Sequence, residues 1–212
     1  MKTSVPVAFF WKKMESLKEY FDRRASSWDE MLKYGEKIFQ LTEVVNWFEL
    51  VEGHSVLDIG TGTGILLPLL RKAIRIKGKI IAIDFSFKML EVAKLRQGHV
   101  ENILINATVE SLPFQSDLFD RIICFSAFPH FHNKARALLE MVRVLKNGGL
   151  LFIAHLKSVE ELNQFHHHLG GPIAHDFLPT PKRLQSLMKE CGLCGVSIIN
   201  QPGKFLAKGE KR

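Results

Sequence analysis

The residues with the clearest capacity for chemistry lie in one short run, Asp58-Ile59-Gly60-Thr61-Gly62-Thr63-Gly64. Apolar Val56 and Leu57 lead into three alternating glycines, and a helical pattern follows at once. Glycines allow a tight turn and let a ligand lie against bare backbone, while the first turn of a helix presents N–H groups without partners. The run therefore reads as a seat for a nucleotide-like ligand, and its spacing narrows which one. A dinucleotide loop needs G-x-G-x-x-G, but Ile65 and Leu67 leave neither register complete. A phosphate loop would end Gly-Lys-Ser/Thr, and this one ends Gly64-Ile65-Leu66. Asp84 closes a second apolar run, Ile80-Ile81-Ala82-Ile83. An acid about twenty residues past such a loop is placed to accept hydrogen bonds from ribose hydroxyls.

Histidines form the second group. His130 and His132 lie in Ser126-Ala127-Phe128-Pro129-His130-Phe131-His132, just after an apolar run. An imidazole exchanges its proton near neutral pH, so both are candidate bases. His155 ends another run, His166-His167-His168 sits in a helical stretch, and His175 precedes Asp176. Consecutive helical residues point in different directions, so the triplet cannot chelate by itself. A site joining one of them to His155 or His175 is geometrically open, but no metal is assigned. The reading preferred is a polar lid, with Phe128, His155, His167 and His175 as candidate substrate contacts. Cys191 and Cys194 form one CxxC without a second pair, and Cys124 reads as a core residue.

These groups need a frame. Ser55–Ile59, Lys79–Ile83, Ile103–Ala107, Arg121–Phe125 and Leu150–His155 are strand-length apolar runs. Between them, 65–76, 86–96 and 134–145 have helical length and period. Continuous apolar strands alternating with helices predict a doubly wound parallel sheet covered on both faces. Residues 9–51 read as helical, from the spacing of Trp11, Met14, Leu17 and Phe21 and of Ile38, Leu41, Val45 and Phe48, with a polar break over 21–29. Ser158 and Glu161 predict a capping box ahead of a stripe of Val159, Leu162, Phe165 and Leu169. Thr180-Pro181 starts a last helix, and 196–200 with 204–208 predicts a hairpin around Pro202-Gly203.

Composition bounds the rest. At 212 residues, 46% apolar and 24% charged, the chain suits one domain with a full core. The expected division is a helical cover over 1–51, a ligand-binding core over 52–155, a substrate lid over 156–179, and a terminal helix and hairpin over 180–212. Met1-Lys2-Thr3-Ser4-Val5-Pro6 runs into charge rather than a signal core, so the expected location is cytoplasmic, with no membrane partner. A net charge of +7 and the run Arg71, Lys72, Arg75, Lys77, Lys79 suit acidic partners, although a solvated helix face is the simpler reading of the run.

The pattern Asp-x-Gly-x-Gly-x-Gly followed by Asp84 resembles the class I S-adenosylmethionine-dependent methyltransferases. Glu110-Ser111-Leu112-Pro113-Phe114 with Phe119-Asp120 resembles the small-molecule, ubiquinone/menaquinone-type branch of that broad family. So do Val144-Leu145-Lys146-Asn147-Gly148-Gly149, with Asn147 where proline is usual, and the terminal strand Lys204–Lys208. The resemblance implies a Rossmann-like α/β fold: a doubly wound, mostly parallel seven-stranded sheet with a C-terminal antiparallel hairpin strand and an N-terminal helical cover. It implies S-adenosyl-L-methionine as cofactor and S-adenosyl-L-homocysteine as product. It places Asp58, Gly60, Thr61, Gly62 and Gly64 at the amino-acid end, Asp84 and Phe85 at the ribose, Thr108, Val109 and Glu110 at the adenine, and Ser126 beside the methyl. Thr108 departs from the family, which commonly has an aspartate there. Tyr20, Phe21, Trp28 and Asp29 resemble the family's cover over the cofactor. The implied acceptor is a small molecule, with an anionic one favoured by the charge. The segment after Phe125 lacks the Asn/Asp-Pro-Pro-Tyr/Phe signature of amine methylation, and no appended RNA-binding module is visible. A tRNA or rRNA acceptor and a non-catalytic cofactor- or metal-sensing module stand as alternatives.

Overall fold

The computed structural model describes residues 7–96 and 102–212, with side chains from residue 16 onward; the side chains of Trp11 and Met14, and residues 1–6, lie outside the described part. Seven strands form one sheet: β1 (Ser55–Ile59), β2 (Lys79–Asp84), β3 (Ile103–Asn106), β4 (Phe119–Phe125), β5 (Leu145–His155), β6 (Leu193–Gln201) and β7 (Lys204–Lys211). Their order is β3-β2-β1-β4-β5-β7-β6. β1 to β5 run parallel, and β7 enters antiparallel between β5 and β6. This is the doubly wound, mostly parallel sheet that the alternation predicts. Strand order reverses between β1 and β4, so a crevice opens at their carboxyl ends, where such sheets bind ligands.

Helices cover both faces: α1 (Val7–Arg24), α2 (Trp28–Met31), α3 (Ile38–Asn46), α4 (Leu67–Ile74), α5 (Phe87–Leu95), α6 (Lys134–Val144), α7 (Val159–Leu169) and α8 (Pro181–Glu190). One core, holding Leu57, Ile122, Leu138, Met141 and Phe205, fills one face of the sheet, and Leu41, Phe48, Leu67, Leu70, Ile74 and Phe152 fill the other. Burying β1 and β4 from both sides explains why they read as unbroken apolar runs.

Element ends differ from the sequence reading in places with identifiable causes. β5 begins at Leu145 rather than Leu150, because Phe119 pairs Leu145 while Arg121 already pairs Leu150. The intervening Lys146–Gly149 bulges, with Gly148 at φ 75°, a conformation that suits glycine. The expected break over 21–29 narrows to a single 3-10 turn at Ala25–Ser27, since α1 continues through Arg24. The capping box forms as the sequence predicts: Ser158 Oγ accepts from Glu161 N–H, and Glu161 accepts from Ser158 N–H. Three residues of the basic run have partners within the fold. Arg71 donates to Gly78 O at 2.8 Å and to Asn102 Oδ1 at 2.7 Å, and Arg75 and Lys77 face Glu52. No helix among the described residues is long and apolar enough to cross a membrane.

Candidate functional site

The loop leaving β1 bends back over β2, because Gly60 N–H and Thr61 N–H both donate to Ile83 O at 2.9 and 3.0 Å. Its glycines all have positive φ, yet for different reasons. A Cβ on Gly60 would lie 2.4 Å from Ala127 Cβ, and one on Gly64 would lie 2.9 Å from Ala93 Cβ on α5. Around Gly62 nothing stands within 4 Å, so its bare Cα faces the cavity. Gly64 thus packs against α5, and the cavity lining passes through Gly60, Thr61, Gly62 and Thr63.

Two carboxylates stiffen this loop. Asp84 Oδ2 accepts from Gly62 N–H at 2.9 Å and Oδ1 from Ser86 N–H at 2.8 Å. Burial pushes Asp84 up to about 6, opposed by those N–H groups and abetted by Asp22. Asp58 Oδ2 accepts from the Thr61 hydroxyl at 2.7 Å. Burial raises Asp58 to about 7; the Thr61 bond lowers it and the nearby Asp84 raises it further. Asp84 lines the cavity, whereas Asp58 stands behind Thr61 and Gly60, which do.

Thr108, Val109 and Glu110 line the next stretch, with Phe85 beside them. The Thr108 hydroxyl bonds the Glu110 carboxylate. Glu110 Oε1 also accepts from the backbone N–H groups of His132 and Asn133 at 3.1 and 3.4 Å. Glu110 therefore braces the segment after β4, and His132 enters that brace through its backbone while its ring stays exposed on the cavity edge.

Beyond β4 the wall becomes imidazole-rich. Ser126 sits at φ 56°, a left-handed conformation rare for residues with a Cβ and typical of functional turns. Its side chain hydrogen-bonds the Tyr34 hydroxyl, whose ionisation burial pushes upward. His130 ends a short 3-10 turn, and its Nδ1 lies 3.0 Å from Asp176 Oδ2. His166 Nδ1 lies 2.6 Å from Asp176 O. His155 is 1% exposed and neither ring nitrogen has a partner. Burial, then His130 and His166, push it down to about 3, so it stays neutral.

The remaining expected contacts fall elsewhere. Phe128 is fully buried in the core against Phe131, and Phe131 lines the cavity in its stead. His167 and His175 are exposed and away from the cavity. On α7 the buried positions are Val159, Leu162 and His166, three and four residues apart, so His166 turns inward and His167 turns out. That spacing was present in the stripe and points to His166. Tyr34 and Asp176 carried no comparable signal. Among the described residues no three His, Cys, Asp or Glu side chains stand close enough to hold a metal.

A cover closes the cavity from the N-terminal side. Phe21 meets Trp28, Phe85 and His130 edge-on, with ring centres 5.2, 5.6 and 5.1 Å apart. Asp22 accepts from Ser86 Oγ at 2.6 Å, and Asp29 bonds Thr63 and Arg96. Tyr20 is buried beneath Arg24, outside the cavity wall. The cavity volume is about 340 Å³, within the range of small-molecule sites.

A bare-backbone loop, an acid at the next strand's end and an apolar trough with Phe85 and Val109 fit a cofactor with an amino acid, a ribose and an adenine. The family model described as a methyltransferase domain matches residues 57–153. The ubiquinone/menaquinone biosynthesis C-methyltransferase of Vibrio vulnificus is 32% identical over 181 residues, covering 73% of this chain and 70% of its own. The 2-phytyl-1,4-naphtoquinone methyltransferase of Thermosynechococcus vestitus is 26% identical across 84% of this chain and 91% of its own. A crystal structure of a SAM-dependent methyltransferase from Aquifex aeolicus superposes with a TM-score of 0.64 and 25% identity, over 80% of this chain and 88% of that one. Sheet order, loop spacing and relatives agree that this chain belongs to the class I S-adenosylmethionine-dependent methyltransferases and takes S-adenosylmethionine as its methyl donor.

Proposed function

We propose that the acceptor is a small molecule with a largely apolar body, methylated by in-line displacement inside the covered cavity. The observation that carries this is the shared apolar lining: Phe21 and Trp28 of the N-terminal helices and Leu162, Phe165 and Leu169 of α7 line one space with the glycine loop. When bound, the cofactor supplies a sulfonium methyl, itself a strong electrophile. The protein then has to align an acceptor and exclude water.

In this reading Gly60, Thr61 and Gly62 take the amino-acid end, with Asp58 behind them favouring its ammonium. Asp84 accepts from the ribose hydroxyls with the lone pairs its two N–H partners leave. Phe85, Thr108 and Val109 hold the adenine, while Glu110 keeps that wall in register. Ser126 and His130 face the transferring methyl. The relatives named for quinone substrates support an apolar, ring-shaped acceptor. Lys33, Lys37 and Lys157 line the same cavity and suit an anionic substituent toward its mouth.

The test is calorimetry with S-adenosylhomocysteine followed by methyl-label transfer into a metabolite extract and, separately, into total tRNA and rRNA. Tight product binding with label in small molecules is the expected result. Label in RNA, with affinity falling steeply with salt, would favour the nucleic-acid reading instead.

A further inference from the structure

Resting on the small-molecule reading, we propose that Lys37 and Lys157 together form an anion site for the acceptor. The pair holds a carboxylate or phosphate at the end of the acceptor remote from the methyl, and so selects acceptors that carry one.

The charges that line the cavity differ in what already answers them. Its acids, Asp84 and Glu110, accept from backbone N–H groups of the walls that they stiffen. Its lysines come from two other places: Lys33 and Lys37 from the turn after α2, and Lys157 from the step between β5 and α7. Lys33 lies 3.9 Å from Glu36, which answers part of its charge. Among the described residues, Lys37 and Lys157 have no carboxylate within ion-pair distance. Glu161, the acid that feels Lys157, is taken up by Ser158 N–H at 2.7 Å and Gly203 N–H at 2.9 Å. Burial first and Lys157 second lower the basicity of Lys37; Lys33 adds to this and Glu36 opposes it. Two half-buried ammonium groups that repel one another gain from an anion placed between them. Their heads are placed for it. Lys157 Nζ lies 5.1 Å from the centre of the Phe165 ring and Lys37 Nζ 6.0 Å from that of Tyr34, both rings of the cavity lining. Lys37 donates one hydrogen to Leu32 O at 2.6 Å, which leaves two for a ligand.

The cofactor brings a carboxylate of its own, and sheet order decides between the two anions. Across β3, β2, β1 and β4 stand, in turn, Thr108, Asp84, the glycine loop and Ser126. In the cofactor placement proposed for this site they run from adenine to methyl. β5 lies one strand further, about 4.8 Å past β4. Lys157 follows the last residue of β5 by two positions, and so stands on the acceptor's side of the methyl. A path joins the pair to the reacting end. Lys37 stands by the Tyr34 ring, and the Tyr34 hydroxyl bonds the side chain of Ser126. An acceptor lying along Tyr34 thus reaches from the two ammonium groups to the methyl with an apolar body between. A cationic group at this end is repelled, and a neutral one leaves the partly desolvated pair without the charge that it lacks.

Calorimetry tests this without knowledge of the natural acceptor. The protein is saturated with S-adenosylhomocysteine and titrated with naphthoate, naphthyl phosphate, neutral naphthamide and inorganic phosphate. We expect naphthoate and naphthyl phosphate to bind roughly 10–100-fold tighter than naphthamide, the scale of hydrogen bonds to a charged group. Lys157→Gln and Lys37→Gln should each remove most of that preference. Lys72→Gln, the same loss of charge on α4 outside the cavity lining, should keep it. If Lys37→Gln melts early through its lost bond to Leu32, Lys157→Gln decides alone, since Lys157 has no backbone acceptor among the described residues. Naphthoate bound no better than naphthamide overturns the proposal. Inorganic phosphate bound as tightly as naphthyl phosphate also overturns it, because anions are then drawn to the surface without the cavity. A second titration uses S-adenosylhomocysteine and its decarboxylated analogue. Each should bind the wild type and the two variants equally well; a loss confined to S-adenosylhomocysteine would assign the lysines to the cofactor's carboxylate and overturn the acceptor site. A wild type that binds no S-adenosylhomocysteine would instead overturn the cofactor site on which the proposal rests.

Discussion

Among single residues, two buried acids carry the clearest consequences. Asp58 and Asp84 are held up to about 7 and about 6, chiefly by burial. A folded carboxyl with a raised pKa binds its proton more tightly than the unfolded chain does. Its contribution to stability is therefore full below the unfolded value and is lost as pH rises through the folded one. Without cofactor, the protein should lose melting temperature between pH 4 and 7, and Asp58→Asn should flatten that slope. Cofactor binding reverses the sign. An ammonium near Asp58 and hydroxyls on Asp84 favour the ionised forms, so affinity should rise from pH 5.5 to 7.5 with proton release. Calorimetry in buffers of differing ionisation enthalpy measures that release directly; binding without proton uptake or release would contradict it. Asp84→Ala should weaken binding by about 1–3 kcal/mol, the scale of hydrogen bonds to a charged group. An unchanged affinity in a folded variant would remove the ribose assignment.

Within the elements, the glycine loop separates into parts that the sequence alone presents as equivalent. Gly62→Ala meets open space and only the strain of a positive φ, about 1–2 kcal/mol. We expect it to keep its fold while losing cofactor affinity, because the added methyl occupies the ligand's side. Gly60→Ala and Gly64→Ala would collide with Ala127 and Ala93, and should lower the melting temperature first. Paired melting and binding curves for the three variants distinguish these outcomes. The loop's existence was legible because a buried strand, three alternating glycines and a helix start rarely coincide except where a ligand meets backbone. What each glycine faces was not legible, since that depends on β4 and α5 arriving from elsewhere in the chain. The same divide runs through α7. Its capping box and stripe were readable locally, and the stripe's spacing already implied His166. Asp176, which clasps His130 and His166, lies in an irregular stretch after the 3-10 turn at Gly171–Ile173, where no periodicity marks an inward residue.

Across the molecule, the sheet and the cover differ in how they are held. The sheet is clamped between two apolar layers, whereas α1 and α2 rest on a smaller cluster of Leu17, Tyr20, Phe21, Ala25 and Met89. Their polar ties run to the cofactor-binding strands: Asp22 to Ser86 after β2, and Asp29 to Thr63 in the glycine loop and to Arg96 after α5. Such an arrangement couples closure of the cover to the loop that it covers, because the loop's ordering and the cover's anchoring share Thr63 and Ser86. Regions with fewer apolar contacts open at lower cost than the core. Asp29→Ala should therefore raise amide hydrogen exchange across residues 17–31 while leaving β1, β4 and β5 protected. S-adenosylhomocysteine should restore protection in the wild type more completely than in the variant. The variant's loss of affinity should appear mainly as faster dissociation, since the cover acts after the ligand is seated. Exchange rising equally in the sheet strands would mean that Asp29 supports the whole fold and that cover and core open together.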